Sequence, residues 1–80
     1  MNIIVKYPEE IIKFIEENQI GGDVNEYLTL DTLLHFEKEM VENNETTSAA
    51  YHSGDRIRME VSIDIVGNDC IFTVDTIDMK

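Results

Sequence analysis

Few side chains in this sequence can perform nucleophilic or soft-metal chemistry. There is one cysteine, Cys70, and there are two histidines, His35 and His52. No two of the three lie close together along the chain. A zinc site needs several such ligands at defined spacing, and a nucleophile needs a base beside it. We therefore predict no cysteine–histidine site and interpret Cys70 as a small core residue.

Carboxylates are the abundant reactive groups. Two of them, Glu60 and Asp75, are predicted to face each other across a hairpin, where they could share a proton or bind a divalent cation. The simpler interpretation is an exposed pair relieved by solvent, by Arg58 or by a basic partner. The segment 23–27 begins like a calcium loop, but Tyr27 replaces the third oxygen ligand and no glycine follows at the sixth position. We predict no enzyme, no metal and no cofactor.

The charge balance excludes several classes of function. Seventeen Asp and Glu stand against six Lys and Arg, for a net charge of -11. Direct nucleic-acid binding is not expected, because contacts to phosphate need cations. Residues 1–10 show no secretion signal, and no apolar run approaches the roughly 18 residues that span a bilayer. With no intramolecular disulfide to form, the chain is expected to be cytoplasmic, away from membranes, and to bind a basic protein.

The elements that must position these groups follow from periodicity. Eighty residues fit one domain, 1–80. Residues 2–7 are β-branched and aromatic and predict a strand. A helix is predicted from Pro8 to about Gln19, ended by Gly21-Gly22, with Ile11, Ile12, Phe14 and Ile15 on its apolar side. The segment 23–30 allows either a short strand or the approach to a second helix.

That second helix is predicted to begin at 29–31 and to end at Asn43-Asn44. Its predicted apolar arc contains Leu30, Leu33, Leu34, Phe36, Met40 and Val41. Glu37 falls inside this arc. Either its carboxylate reaches water at the edge of the buried stripe, or it pairs with Arg56 or Arg58, within the chain or across a dimer. Residues 45–54 are predicted to be a polar connection that could lead into a strand.

Strict alternation over 55–66 predicts a hairpin strand, and Gly67-Asn68 suits a type II′ turn. The resulting register sets Ile65 against Cys70, Ile63 against Phe72, Val61 against Val74 and Met59 against Thr76. On the outer face it sets Asp64 against Ile71, Ser62 against Thr73 and Glu60 against Asp75. It also leaves Ile71, Ile77 and Met79 facing outward, which is typical of a sheet that binds a partner or a second copy.

These elements predict an α+β fold in β-α-α-β-β order, with a small antiparallel-rich sheet and two helices packed on one face. A domain of this size has a thin core, so a homodimer is one way for it to gain stability.

The acidity can be compared with that of DNA. A surface of roughly 5,000 Å² carries one net charge per roughly 450 Å², against one per roughly 100 Å² for a duplex. Most of the acids would have to cluster on half the surface to approach that density. In size, charge and compactness the chain resembles the small acidic inhibitors, many of them encoded by phages, that mimic DNA. This resemblance implies a target such as a histone-like nucleoid protein or a restriction or CRISPR effector.

The leading hypothesis is therefore an acidic inhibitor that occupies the nucleic-acid-binding surface of a basic protein as a DNA or RNA mimic. The alternatives are an antitoxin or immunity protein against a basic nuclease, and a homo-oligomeric structural or assembly module. The predicted partner contacts are the acids of the two helices and the outer sheet face: Glu9, Glu10, Glu16, Glu17, Glu39, Glu42, Glu60, Asp64 and Asp75.

Overall fold

A computed structural model describes all 80 residues as an α+β fold with three helices and four strands. In chain order the elements are β1 (Asn2–Lys6), α1 (Glu9–Asn18), α2 (Gly21–Tyr27), α3 (Leu30–Glu42), β2 (Thr47–Ser53), β3 (Ile57–Val66) and β4 (Asp69–Met79). The predicted fold class is confirmed, with α2 and β2 added to the predicted order.

The strands form one mixed sheet in the order β1-β4-β3-β2. β4 pairs parallel with β1 and antiparallel with β3, and β3 pairs antiparallel with β2. The helices cover one face of the sheet and leave the other face free. We call the uncovered side the outer face.

The core lies between the helices and the inner face of the sheet. Thirteen buried residues form one cluster, and none of them is polar or charged. The sheet contributes Ile63, Phe72 and six others, while the helical layer contributes five. Every carboxylate therefore lies outside the core.

The first helix ends before the predicted glycines. Gln19 adopts the left-handed conformation, with φ of 53°, and donates its N–H to the carbonyl of Glu16. Ile20 donates to the carbonyl of Ile15 at 3.2 Å and is fully buried. These two bonds form a Schellman motif that buries the residue after the cap. Gly21-Gly22 therefore do not end α1, as predicted, but begin α2.

The polar connection predicted for 45–54 is wrong over most of its length, because β2 occupies Thr47–Ser53. The short helix α2 was also not predicted. It contains two glycines and buries only Val24, so propensity argues against it. Tertiary contacts hold it: the Tyr27 ring stacks on His52 at 4.1 Å, and Asp23 pairs with Arg56 at 3.5 Å.

The β3–β4 hairpin keeps the predicted register from its turn as far as Val61 and Val74. Gly67 has a positive φ of 59° and Asn68 does not, as a type II′ turn requires.

Beyond Val61 a β-bulge shifts the register by one residue. Glu60 pairs with Thr76 and not with Asp75, and Met59 pairs with Ile77 and not with Thr76. Ile77 is therefore buried on the inner face, and Met79 lies on the same side, opposite Ile57. Of the three apolar residues predicted on the outer face, only Ile71 is there.

Candidate functional site

Helix α1 presents an acidic exposed side. Glu9, Glu10, Glu16 and Glu17 are all exposed and surround Lys13. Lys13 pairs with Glu9 at 3.7 Å, and both side chains remain largely in water. Such an exposed pair contributes little to stability. The side chains of α1 therefore present four carboxylates and one cation to solvent.

An apolar groove adjoins this acidic side. Tyr7, Ile12, Ile15 and Val24 line it together with Glu16, Gly21 and Asn25. It encloses about 250 Å³, enough for one large side chain, and it is open to solvent. Ile12 was predicted on the buried side of α1, yet it is 42% exposed. Around the helix axis it lies between Ile15 and Glu16, at the border between the apolar and acidic sides. An apolar wall thus stands directly beside a carboxylate.

Helix α3 also exposes apolar residues beside its acids. Leu30, Leu34 and Val41 are 63%, 43% and 49% exposed, contrary to the predicted arc. Only Leu33, Phe36 and Met40 of that arc are turned to the core. Glu39 and Glu42 lie on the exposed side, where a Glu39 carboxylate oxygen is 3.5 Å from Nε2 of His35.

The nine predicted contacts do not share one surface. Six lie in the helical layer: Glu9, Glu10, Glu16, Glu17, Glu39 and Glu42. The other three, Glu60, Asp64 and Asp75, lie on the outer face of the sheet. Ser62 donates a hydrogen bond to the Asp75 carboxylate there. The bulge separates Glu60 from Asp75 along the register, so the opposed carboxylate pair predicted from the sequence does not form.

Residues 9–45, which hold all three helices, carry eleven of the seventeen acids and only two lysines. Sequence reasoning omitted five of these acids, namely Asp23, Glu26, Asp31, Glu37 and Glu45. Asp23 and Glu26 were missed because α2 was not predicted. The helical layer is therefore the more acidic side of the molecule.

No known protein family, curated protein or solved structure matches this chain.

Most of the seventeen carboxylates in the chain have no cation beside them. The chain forms three ion pairs, which engage Glu9, Asp23 and Glu39, so fourteen of the seventeen acids have no cationic nitrogen within 4.0 Å. Glu37 is half-buried and pairs with neither arginine, which agrees with the interpretation that it lies at the edge of the buried stripe.

The charge density of the helical layer falls between the average for the whole molecule and the value for duplex DNA. The total accessible surface is 5107 Å². Eleven acids and two lysines on roughly half of it leave one net charge per roughly 280 Å², against one per roughly 100 Å² for duplex DNA. Charge alone is thus about a third as dense as in a nucleic acid.

The structure brings together no group of three or more His, Cys, Asp or Glu side chains that could hold a metal ion. None of the three helices combines the length and the apolar character that crossing a bilayer requires.

Cys70 is fully buried on the inner face of β4. Burial, with a smaller contribution from the Glu37 carboxylate, raises the pKa of this thiol. The thiol therefore stays protonated at neutral pH and is a poor nucleophile. This agrees with the interpretation of Cys70 as a core residue.

The raised pKa predicts a loss of stability in alkali. The ordinary value is 9.0, so the protonated thiol favours the fold fully below that pH, and this contribution is lost as pH rises through the higher folded pKa. We expect the melting temperature to fall above about pH 9, and to fall less in Cys70→Ala. Tyr7 and Tyr27, whose pKa values burial also raises, titrate in both proteins. An identical decline in both would contradict a role for the thiol.

Proposed function

We propose that this protein is an acidic inhibitor that occupies the nucleic-acid-binding surface of a basic cytoplasmic protein through its helical layer. The observation that carries the proposal is the placement of eleven acids and two lysines in residues 9–45, outside the core and largely unpaired. Carboxylates that the fold does not use are free to replace phosphates on a cationic surface.

The spacing of the α1 acids supports this proposal. The pairs Glu9-Glu10 and Glu16-Glu17 are seven residues apart, which is about 10 Å along a helix. Phosphates three steps apart on one DNA strand are separated by about the same axial distance, at 3.4 Å per step. The molecule is 37 Å along its longest axis, and one turn of duplex is about 34–36 Å.

Specificity would come from the groove beside Glu16. Charge complementarity mainly raises the association rate and excludes wrong partners, whereas a buried apolar contact slows dissociation. A large apolar or aromatic side chain, flanked by lysines or arginines on the target, fits the Tyr7–Ile12–Ile15–Val24 wall with its acidic rim. The exposed Leu30, Leu34 and Val41 of α3 offer further apolar contact.

The test is a pull-down from host lysate with the tagged protein at about 50 mM and about 500 mM salt. We expect a basic nucleic-acid-binding protein to be captured at low salt and displaced by added DNA. Capture of a nuclease that DNA does not displace would favour an immunity function instead, if co-expression of this protein also protects cells from the toxicity of that nuclease. No enrichment of any basic protein at either salt would overturn the proposal and leave the assembly module as the remaining hypothesis.

A further inference from the structure

The free edges of the sheet differ in how they are protected against pairing with another strand. Proteins blunt such edges with short strands, charges, prolines and bulges. On one side, β1 has only five residues, ends at Lys6 and is soon followed by Pro8. β1 pairs with β4 only as far as Thr73, and the rest of this edge of β4 carries the bulge at Asp75 and the charge of Asp78. Both edges on this side are therefore protected.

The opposite edge, β2, has none of these features. Its seven residues, Thr-Ser-Ala-Ala-Tyr-His-Ser, contain no proline and no Asp, Glu, Lys or Arg, and they pair with β3 in unbroken register. They lie within 46–54, the longest stretch of the chain without such a charge. In a protein with 29% charged residues, the one long free edge is also the one neutral edge.

The backbone groups free to pair belong to alternate residues of β2. Ile65 donates its N–H to the carbonyl of Thr46, and Gly54 donates to the carbonyl of Ile57. Because antiparallel ladders alternate between bonded and non-bonded pairs, the even-numbered residues of β2 bond to β3. The outward-directed N–H and C=O groups are then those of Thr47, Ala49, Tyr51 and Ser53.

We propose that β2 pairs antiparallel with β2 of a second copy about a two-fold axis at Ala50. This register sets Thr47 against Ser53 of the partner subunit and Ala49 against Tyr51 of the partner subunit. All the paired residues are then ones with outward-directed groups, and about eight backbone hydrogen bonds close the ladder. The two four-stranded sheets become one continuous sheet.

Charge favours a second copy on this edge over the acidic surfaces of the molecule. Two molecules with a net charge of -11 repel each other, and contact through the helical layer or the outer face would bring their carboxylates together. Within Thr47–Ser53 no charge lies opposite a charge, so the ladder contains no destabilising like-charge pair, and the nearest acids, Glu45 and Asp55, flank the strand. Tyr51 is 61% exposed on the outer face, and its ring would cover the small Ala49 of the partner subunit.

The symmetry has a consequence for the acidic surface. A two-fold axis perpendicular to the sheet keeps the helices of both copies on the same side. Two acidic helical layers then form one longer surface on one side of an extended sheet. The proposed dimer rests on the geometry and the charge of the β2 edge and does not depend on the proposed inhibition.

The test compares the dimer dissociation constant of the natural chain with those of Ala49→Pro and Ala49→Ser by analytical ultracentrifugation. Proline removes an N–H that points to the free edge and leaves the bonds to β3 intact. Each copy loses one hydrogen bond, so we expect dimerisation to weaken roughly 30-fold in Ala49→Pro and to change little in Ala49→Ser. Dimerisation should strengthen with salt, because salt screens the repulsion between copies.

A natural chain that stays monomeric at about 0.5 mM protein and about 500 mM salt would overturn the proposal. So would an Ala49→Pro variant that folds, by circular dichroism, and dimerises as the natural chain does. If that variant does not fold, Ala49→Glu serves instead, since it places like charges from the two copies near each other at the edge and adds to the repulsion between them. A monomer that still captures a basic protein would overturn the dimer and leave the proposed function standing.

Discussion

Exchange of Glu16 and Glu17 for lysine is expected to weaken binding of the basic partner captured from lysate by about 100-fold at low salt. Both carboxylates are exposed, so the exchange removes two attractions and adds two repulsions without disturbing the core. Glu16 also lines the apolar groove, where an ammonium would repel the cations that flank the inserted side chain. The loss should shrink at about 500 mM salt, where these interactions are screened.

The matched control reverses two acids on the other side of the molecule. Glu60→Lys with Asp64→Lys changes the net charge equally but alters the outer face of the sheet. We expect it to reduce binding by only a few fold, through the weaker overall field. Isothermal titration at both salts would measure each affinity. Equal losses in the two double variants would show that net charge acts without a site, and unchanged affinity in the α1 variant would remove α1 from the interface.

Sequence periodicity predicted those elements whose own side chains separate into two faces. Helix α3 was located by its Thr29 cap, whose Oγ1 accepts from the N–H of Thr32. The hairpin was located by strict alternation in β3. By contrast, α2 and β2 have no such separation. Ser48, Ala50 and His52 turn inward from β2 while Ala49 and Tyr51 turn outward, so neither side is clearly apolar. Pairing with β3 alone makes this segment a strand.

The candidate site was predicted in composition but not in arrangement. The acids of α1 are exposed as helical periodicity indicates. The groove beside them could not be predicted, because it needs Val24 of α2 and Tyr7 at the end of β1. Likewise, the acids of the hairpin could be assigned to one side of their own strand. Only the position of the helices shows that this side faces away from α1.

The bulge in β4 shows why an alternating pattern can mislead at one end. From Cys70 to Val74 every second residue is buried, and continued alternation would bury Thr76 and expose Ile77. One extra residue at Asp75 reverses this. Thr76 is exposed and Ile77 is 6% exposed. The bulge thus keeps an isoleucine in the core where regular pairing would place a threonine. Burial of the larger apolar side chain contributes more free energy than the irregular pairing at the bulge costs.

Truncation of Ile77 should therefore destabilise the protein strongly. Ile77→Ala removes a buried side chain that faces Met59, and such truncations cost about 3 kcal/mol. That is a large part of the total stability of a domain this small. The same substitution at Ile71, half-buried on the outer face, should cost about 1 kcal/mol or less. Urea unfolding of both variants measures the difference. Because regular pairing would leave Ile77 as exposed as Ile71, equal costs would contradict the bulge and restore the Glu60–Asp75 pair.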